Sequence, residues 1–257
     1  MSPSHERITR VFKHKVLAGY LTAGDGGLEK SLAAFRALIS GGVTLLEIGV
    51  PFSDPVADGP VIQRASQRAL QSGTTVWDIL TLVKQLRQET DIPIILFTYW
   101  NPVYQLLSKD LLKQAHDAGV DGLLVVDLPW EESATYEAAC HAVGLVPIFV
   151  IAPSTPLARL QQFASRISGF VYYACRKGTT GARTDIPDDL AETLAGIRSV
   201  VSVPILVGFG VSTPAQVKAI LADADGVVVG SHWVSLLESG ASCQTLQMDV
   251  TRLLQAR

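Results

Sequence analysis

The sequence predicts an α/β fold: a single (β/α)8 barrel of the TIM type with extra helices, in one domain spanning residues 1–257. Three observations predict it. Eight short apolar runs recur along the chain, each continuous rather than alternating, the pattern of strands buried on both faces of a parallel sheet. Segments of helical periodicity separate them, so each strand is followed by a crossover of fixed hand. The length of 257 residues matches the roughly 250 that one such barrel takes. The same alternation suits an open doubly wound sheet; the eight units and the length favour closure.

The runs are Val16–Leu21, Leu45–Ile48, Ile92–Leu96, Leu123–Val126, Pro147–Ile151, Gly169–Ala174, Val203–Val207 and Gly226–Val229. After the first, Leu28, Leu32, Phe35, Leu38 and Ile39 recur at helical steps and form one apolar stripe. Leu107, Leu111, Ala115 and Ala118 repeat the pattern before the fourth run. Thr213-Pro214-Ala215-Gln216 reads as a helix start, with Thr as N-cap, Pro in the first position and Gln closing a capping box. Val217, Ile220 and Leu221 then supply its buried face. Glycines and prolines punctuate the chain without any linker or low-complexity stretch.

Composition narrows the function. Hydrophobic residues make up 48% and charged ones 18%, enough for a large core and too apolar for disorder. A net charge of −3 lacks the basic excess of a nucleic-acid binder. No apolar run approaches the ~18 residues of a membrane span. Met1 to Lys15 is polar, unlike a secretory leader. Cys140, Cys175 and Cys243 are an odd count at wide spacings and read as reduced thiols in the cytoplasm.

In such barrels the chemistry sits after the strands, on the βα loops. Glu47 lies inside the second apolar run. A carboxylate there pays a desolvation cost, and its pKa rises unless it finds a partner, which suits proton transfer near neutral pH. The plainer alternative is a carboxylate satisfied by neighbouring hydroxyls. Gly49 to Pro60 then forms a long loop carrying Asp54 and Asp58, with no element of its own to hold it. Either aspartate alone reads as a turn residue before Pro or Gly. With Glu47 they offer enough carboxylates to divide acid and base roles.

Three glycine-bearing loops follow the last strands: Gly178-Thr179-Thr180-Gly181, Gly208-Phe209-Gly210 and Gly230-Ser231. Together they suit phosphate held by backbone N–H groups, although each alone reads as an ordinary turn. No Gly-Lys-Ser/Thr exists, and Gly208-Phe209-Gly210 lacks the third glycine of a dinucleotide fingerprint. No metal is expected: the five histidines share no ligand spacing and the cysteines form no CxxC pair. No lysine lies within the eight runs, which disfavours Schiff-base chemistry. Cys175, after the sixth run, reads as a buried thiol.

Leu46-Glu47-Ile48-Gly49-Val50-Pro51-Phe52-Ser53-Asp54-Pro55-Val56-Ala57-Asp58-Gly59-Pro60 resembles the signature of the tryptophan synthase alpha subunit family. Tyr20-Leu21-Thr22-Ala23-Gly24-Asp25, Tyr99-Trp100-Asn101-Pro102, Asp127-Leu128-Pro129 and the two last glycine loops resemble that family's other strand ends. The resemblance implies a lyase that splits indole-3-glycerol phosphate into indole and glyceraldehyde 3-phosphate. It implies Glu47 as acid–base group and Asp58 as the partner of the indole N–H. Tyr20, Phe97, Tyr99, Val150 and Tyr172 would line the substrate, and Thr180, Gly181, Gly210, Gly230 and Ser231 would hold its phosphate. It further implies a beta subunit carrying pyridoxal phosphate, met near Asp54 and Pro55 in an α2β2 heterotetramer, with no cofactor in this chain.

The chain departs from the family pattern at Asp25-Gly26-Gly27, at Cys175 in place of a serine, and at His232-Trp233 in place of small residues. Losing the serine removes a hydrogen-bond partner, and two large side chains behind a phosphate loop are expected to move it. Two other readings remain: a different phosphosugar lyase or isomerase on the same barrel, and a weakly catalytic subunit that activates its partner.

Overall fold

The computed structural model describes residues 2–175, 186–208 and 210–255. Eight strands among them pair in parallel, in chain order, and close into a barrel. They are β1 (Val16–Thr22), β2 (Leu45–Gly49), β3 (Ile94–Thr98), β4 (Gly122–Val125), β5 (Val146–Ile151), β6 (Val171–Ala174), β7 (Ile205–Gly208) and β8 (Gly226–Val229). Closure comes from β8 against β1, where Val16 pairs with Gly226 and Gly19 with Val229. Each apolar run read from the sequence overlaps one of these strands, with ends shifted by one or two residues at most of them, and the open sheet is excluded.

The helices are α1 (Pro3–Val11), α2 (Leu28–Gly41), α3 (Pro60–Gln71), α4 (Val76–Arg87), α5 (Trp100–Leu106), α6 (Leu111–Ala118), α7 (Ala134–Val143), α8 (Leu157–Phe163), α9 (Leu190–Arg198), α10 (Pro214–Asp223), α11 (Ser231–Glu238) and α12 (Cys243–Leu254). None of the described helices is long and apolar enough to cross a membrane. The Thr213 capping box forms as its sequence suggests: Thr213 Oγ1 accepts the Gln216 amide, and Gln216 Oε1 accepts the Thr213 amide.

Two helix readings need correction. The stripe from Leu107 to Ala118 is not one helix: Leu107–Lys109 is a 3-10 turn, and Asp110 takes φ +55 before α6 begins. Aspartate is one of the few side chains that tolerates that left-handed conformation. Leu28 opens α2 but stays exposed, and the buried face of α2 is built on Ala34, Phe35 and Leu38.

The N-terminal end of the barrel is plugged. Ile8 of α1 is fully buried there, and Arg7 and Arg87 each donate to Asp121 at 2.7 Å, just before β4. A third hydrogen bond, from the Ile94 amide at 2.9 Å, further satisfies this buried carboxylate. Access to the barrel interior is therefore left to the C-terminal ends of the strands.

Candidate active site

β2 carries Glu47 between Leu46 and Ile48, in register with Tyr20 on β1 and Ile95 on β3. The residue is fully buried, and neither carboxyl oxygen has a hydrogen-bond partner among the described residues. Burial with nothing to offset it pushes the carboxyl up to about 8. The alternative of a carboxylate satisfied by neighbouring hydroxyls is thus not what forms. At neutral pH this side chain is mostly a protonated acid with its proton unspent.

Asp58 arrives from the loop after β2 and is also buried. Its Oδ2 accepts the Tyr99 hydroxyl at 2.9 Å. Burial raises its carboxyl and the tyrosine bond lowers it, leaving it at about 6. Two carboxyls thus share one end of the barrel with environments that push them apart. Near pH 7 the pair is one acid and one anion, the arrangement that divides proton transfer from charge stabilisation.

The loop is held, contrary to its sequence. Tyr99, immediately after β3, receives the Ala57 amide at 3.1 Å on the same hydroxyl that binds Asp58. Its ring stacks on Phe52 at 4.9 Å. Asp58 N–H donates to the Pro55 carbonyl, and Gln63 Nε2 donates to the Asp58 carbonyl at 2.8 Å. Tyr99, read from the sequence as a substrate contact, is buried in this anchoring role.

Aromatic side chains line the interior beside the carboxyls. Tyr20 meets Phe97 edge-on at 5.3 Å, and Phe97 meets Tyr172 at 6.1 Å. Both tyrosine hydroxyls are pushed well above their ordinary range, by burial first and by the two carboxyls, which puts them close to Glu47 and Asp58. Two glycines make room for them. A Cβ on Gly49 would lie 2.3 Å from the Tyr20 hydroxyl, and one on Gly208 would lie 2.1 Å from the Tyr172 hydroxyl. Val150 pairs with Tyr172 in the β5–β6 register and is half-buried, as are Phe97 and Tyr172. Sequence reasoning missed both glycine roles, although each ends a strand.

Of the expected phosphate residues, Thr180 and Gly181 lie outside the described residues. Gly210 follows β7 with φ +74, a conformation that favours glycine. Gly230 is the N-cap of α11 and Ser231 its first residue, and no side chain caps that helix. Because β7 and β8 are neighbours, the two loops open side by side at the barrel mouth. An uncapped helix start presents N–H groups that suit an anion. Cys175 is buried, with its amide donating to the Gly208 carbonyl at 3.1 Å.

Asp54 is exposed, Pro55 half-buried and Val56 strongly exposed, at the outermost part of the Asp58 loop. Among the described residues no group of His, Cys, Asp and Glu is placed to hold a metal ion.

Known proteins resemble this chain in sequence and fold. The family model described as tryptophan synthase alpha chain matches residues 9–256. The tryptophan synthase alpha chain of Coxiella burnetii (strain CbuK_Q154) is 49% identical over 251 residues, covering 97% of this chain and 96% of the relative. That of Opitutus terrae is 46% identical over 218 residues, covering 85% and 82%. A solved structure of Mycobacterium tuberculosis tryptophan synthase superposes with a TM-score of 0.90 at 34% identity, covering 99% of this chain and 98% of that one. A mutant alpha-subunit from Pyrococcus furiosus gives 0.86 at 35% identity, covering 94% and 99%. A buried acid and a buried anion at the mouth of this barrel, together with matches across nearly its whole length, lead to one conclusion: the chain belongs to the tryptophan synthase alpha chain family.

Proposed function

We propose that this chain, folded as a single domain over residues 1–257, cleaves indole-3-glycerol phosphate to indole and glyceraldehyde 3-phosphate by a retro-aldol reaction. The observation that carries the reading is the pair of buried carboxyls, Glu47 at about 8 and Asp58 at about 6. Glu47 donates its proton to indole C3, which turns the ring into a cationic leaving group. Asp58, as the anion, accepts the indole N–H and stabilises the developing positive charge. The bond between C3 and the glycerol side chain then breaks. Its electrons return to the ring, and the side-chain hydroxyl gives its proton to the Glu47 carboxylate as it becomes the aldehyde. The acid is regenerated and no redox step is needed.

Tyr20, Phe97, Val150 and Tyr172 wall the indole. Gly210, Gly230 and Ser231 bind the phosphate with backbone N–H groups, joined by Thr180 and Gly181. The exposed Asp54 and Val56 and the half-buried Pro55 between them meet a tryptophan synthase beta subunit, which carries the pyridoxal phosphate in an α2β2 assembly of the cytoplasm. Docking there covers the mouth and passes indole to the partner without release to water.

The test is indole formation by the purified chain, with and without a beta subunit. The parent chain releases indole and is stimulated by the partner. Glu47→Gln loses at least about 10²-fold while retaining its fold. A Glu47→Gln variant with parental turnover contradicts the role of Glu47, and a parent chain that releases no indole under either condition contradicts the reaction.

A further inference from the structure

His232 and Trp233 are the bulky pair behind the Gly230-Ser231 loop. Both are seated on one acceptor. Trp233 Nε1 donates to Asp249 Oδ2 at 3.0 Å, and His232 Nε2 lies 2.8 Å from the same oxygen. Asp249 belongs to α12, and its other oxygen faces the Arg252 guanidinium, with Nε at 2.9 Å. Trp233 is fully buried, whereas His232 and Asp249 keep only a fraction of their side chains exposed.

The opposite face of this turn rests on β1. A Cβ on Gly19 would lie 3.1 Å from Trp233 Cζ3, so the Trp233 ring packs tightly against the bare backbone of Gly19. Gly230 packs equally close to Tyr20, where its own Cβ would lie 3.2 Å from the Tyr20 Cβ. The first turn of α11 is therefore gripped between β1 and α12. Its start has no side-chain cap of its own, so its direction depends on these lateral contacts.

We propose that Asp249 is a positioning residue for the phosphate end of the site. Through His232 and Trp233 it fixes the opening turn of α11, so that the Gly230 and Ser231 N–H groups face the barrel mouth. The proposal rests on the reading of that turn as a phosphate site. What the device needs is an acceptor oxygen at the end of a short side chain. Asparagine supplies one and alanine does not.

The test compares Asp249→Ala and Asp249→Asn with the parent chain. Two readouts are used: KM and kcat for indole formation, and amide NMR shifts of Gly230 and Ser231 during titration with inorganic phosphate. Asp249→Ala is expected to raise KM and weaken phosphate binding by about tenfold or more, since small misplacements carry large costs. Its kcat at saturation changes little. Asp249→Asn stays close to the parent. If Asp249→Ala does not fold, His232→Ala, which leaves the Trp233 bond in place, is expected to raise KM to a smaller degree with kcat preserved. The proposal is overturned if KM and phosphate binding do not change in the folded variant, if kcat falls as much as KM rises, or if Asp249→Asn is as impaired as Asp249→Ala. A parent chain that binds phosphate at Gly230 and Ser231 but releases no indole contradicts the proposed reaction and leaves this device standing. Turnover with no phosphate response at those amides overturns the device alone.

Discussion

The Tyr99 hydroxyl donates to Asp58 at 2.9 Å while accepting the Ala57 amide at 3.1 Å. One phenol thus holds the buried carboxylate and the backbone that delivers it. A hydrogen bond to the charged form of Asp58 favours that form, which is why its carboxyl stays near 6 despite burial.

Removing this bond has a pH signature. Tyr99→Phe keeps the ring that stacks on Phe52 and loses the donor. A bond to a charged group contributes about 1.5–3 kcal/mol, which corresponds to about one to two pH units. The acid limb of the kcat/KM profile is expected to move up by that amount, so activity falls more near pH 6 than near pH 8. An unmoved acid limb in the folded variant removes Tyr99 from this role.

Glu47 costs stability in a pH-dependent way. Its carboxyl titrates near 4.5 when unperturbed and near 8 in the fold. Below the lower value both states are protonated and the penalty is absent. Between the two values the unfolded chain holds fewer protons, so rising pH favours unfolding by up to about 1.4 kcal/mol per unit. Glu47→Gln lacks this slope. In thermal unfolding across this range, the midpoint of the variant is expected to gain on the parent steadily from about pH 5 to about pH 8. A constant difference across that range contradicts the burial of an ionisable Glu47 without a partner.

The barrel itself was legible because its strands are buried on both faces and appear as unbroken apolar runs. Their edges shift where chemistry intervenes: β3 starts at Ile94 rather than Ile92, beyond Pro93. Glu47 was legible for the same reason, as the one acid inside such a run. The Tyr99–Asp58 bond was not, because its members are 41 residues apart and neither has a local pattern that announces the other. The seating of His232 and Trp233 depends on Asp249, in the following helix, and nothing local in the sequence announces that partner. The helix break at Asp110 turns on one residue adopting φ +55, which no periodicity records.

Gly208 gives the Tyr172 hydroxyl its space, with only 2.1 Å between that oxygen and the Cβ of an alanine placed there. Gly208→Ala is expected to push the Tyr172 ring into the substrate volume. Overpacking of this kind costs roughly 1–3 kcal/mol of stability, and KM for the substrate should rise along with it. Combining it with Tyr172→Phe removes the clashing atom and should recover most of both losses. Failure of the double variant to recover contradicts this packing account.

The division of labour between the two carboxyls is open to direct observation by 13C NMR of the side-chain carboxyl carbons, titrated in the substrate-free chain with Glu47→Gln and Asp58→Asn used for assignment. The account predicts one midpoint near 8 that disappears with Glu47→Gln and one near 6 that disappears with Asp58→Asn. Midpoints for both groups in the ordinary carboxylate range, near 4, would contradict it.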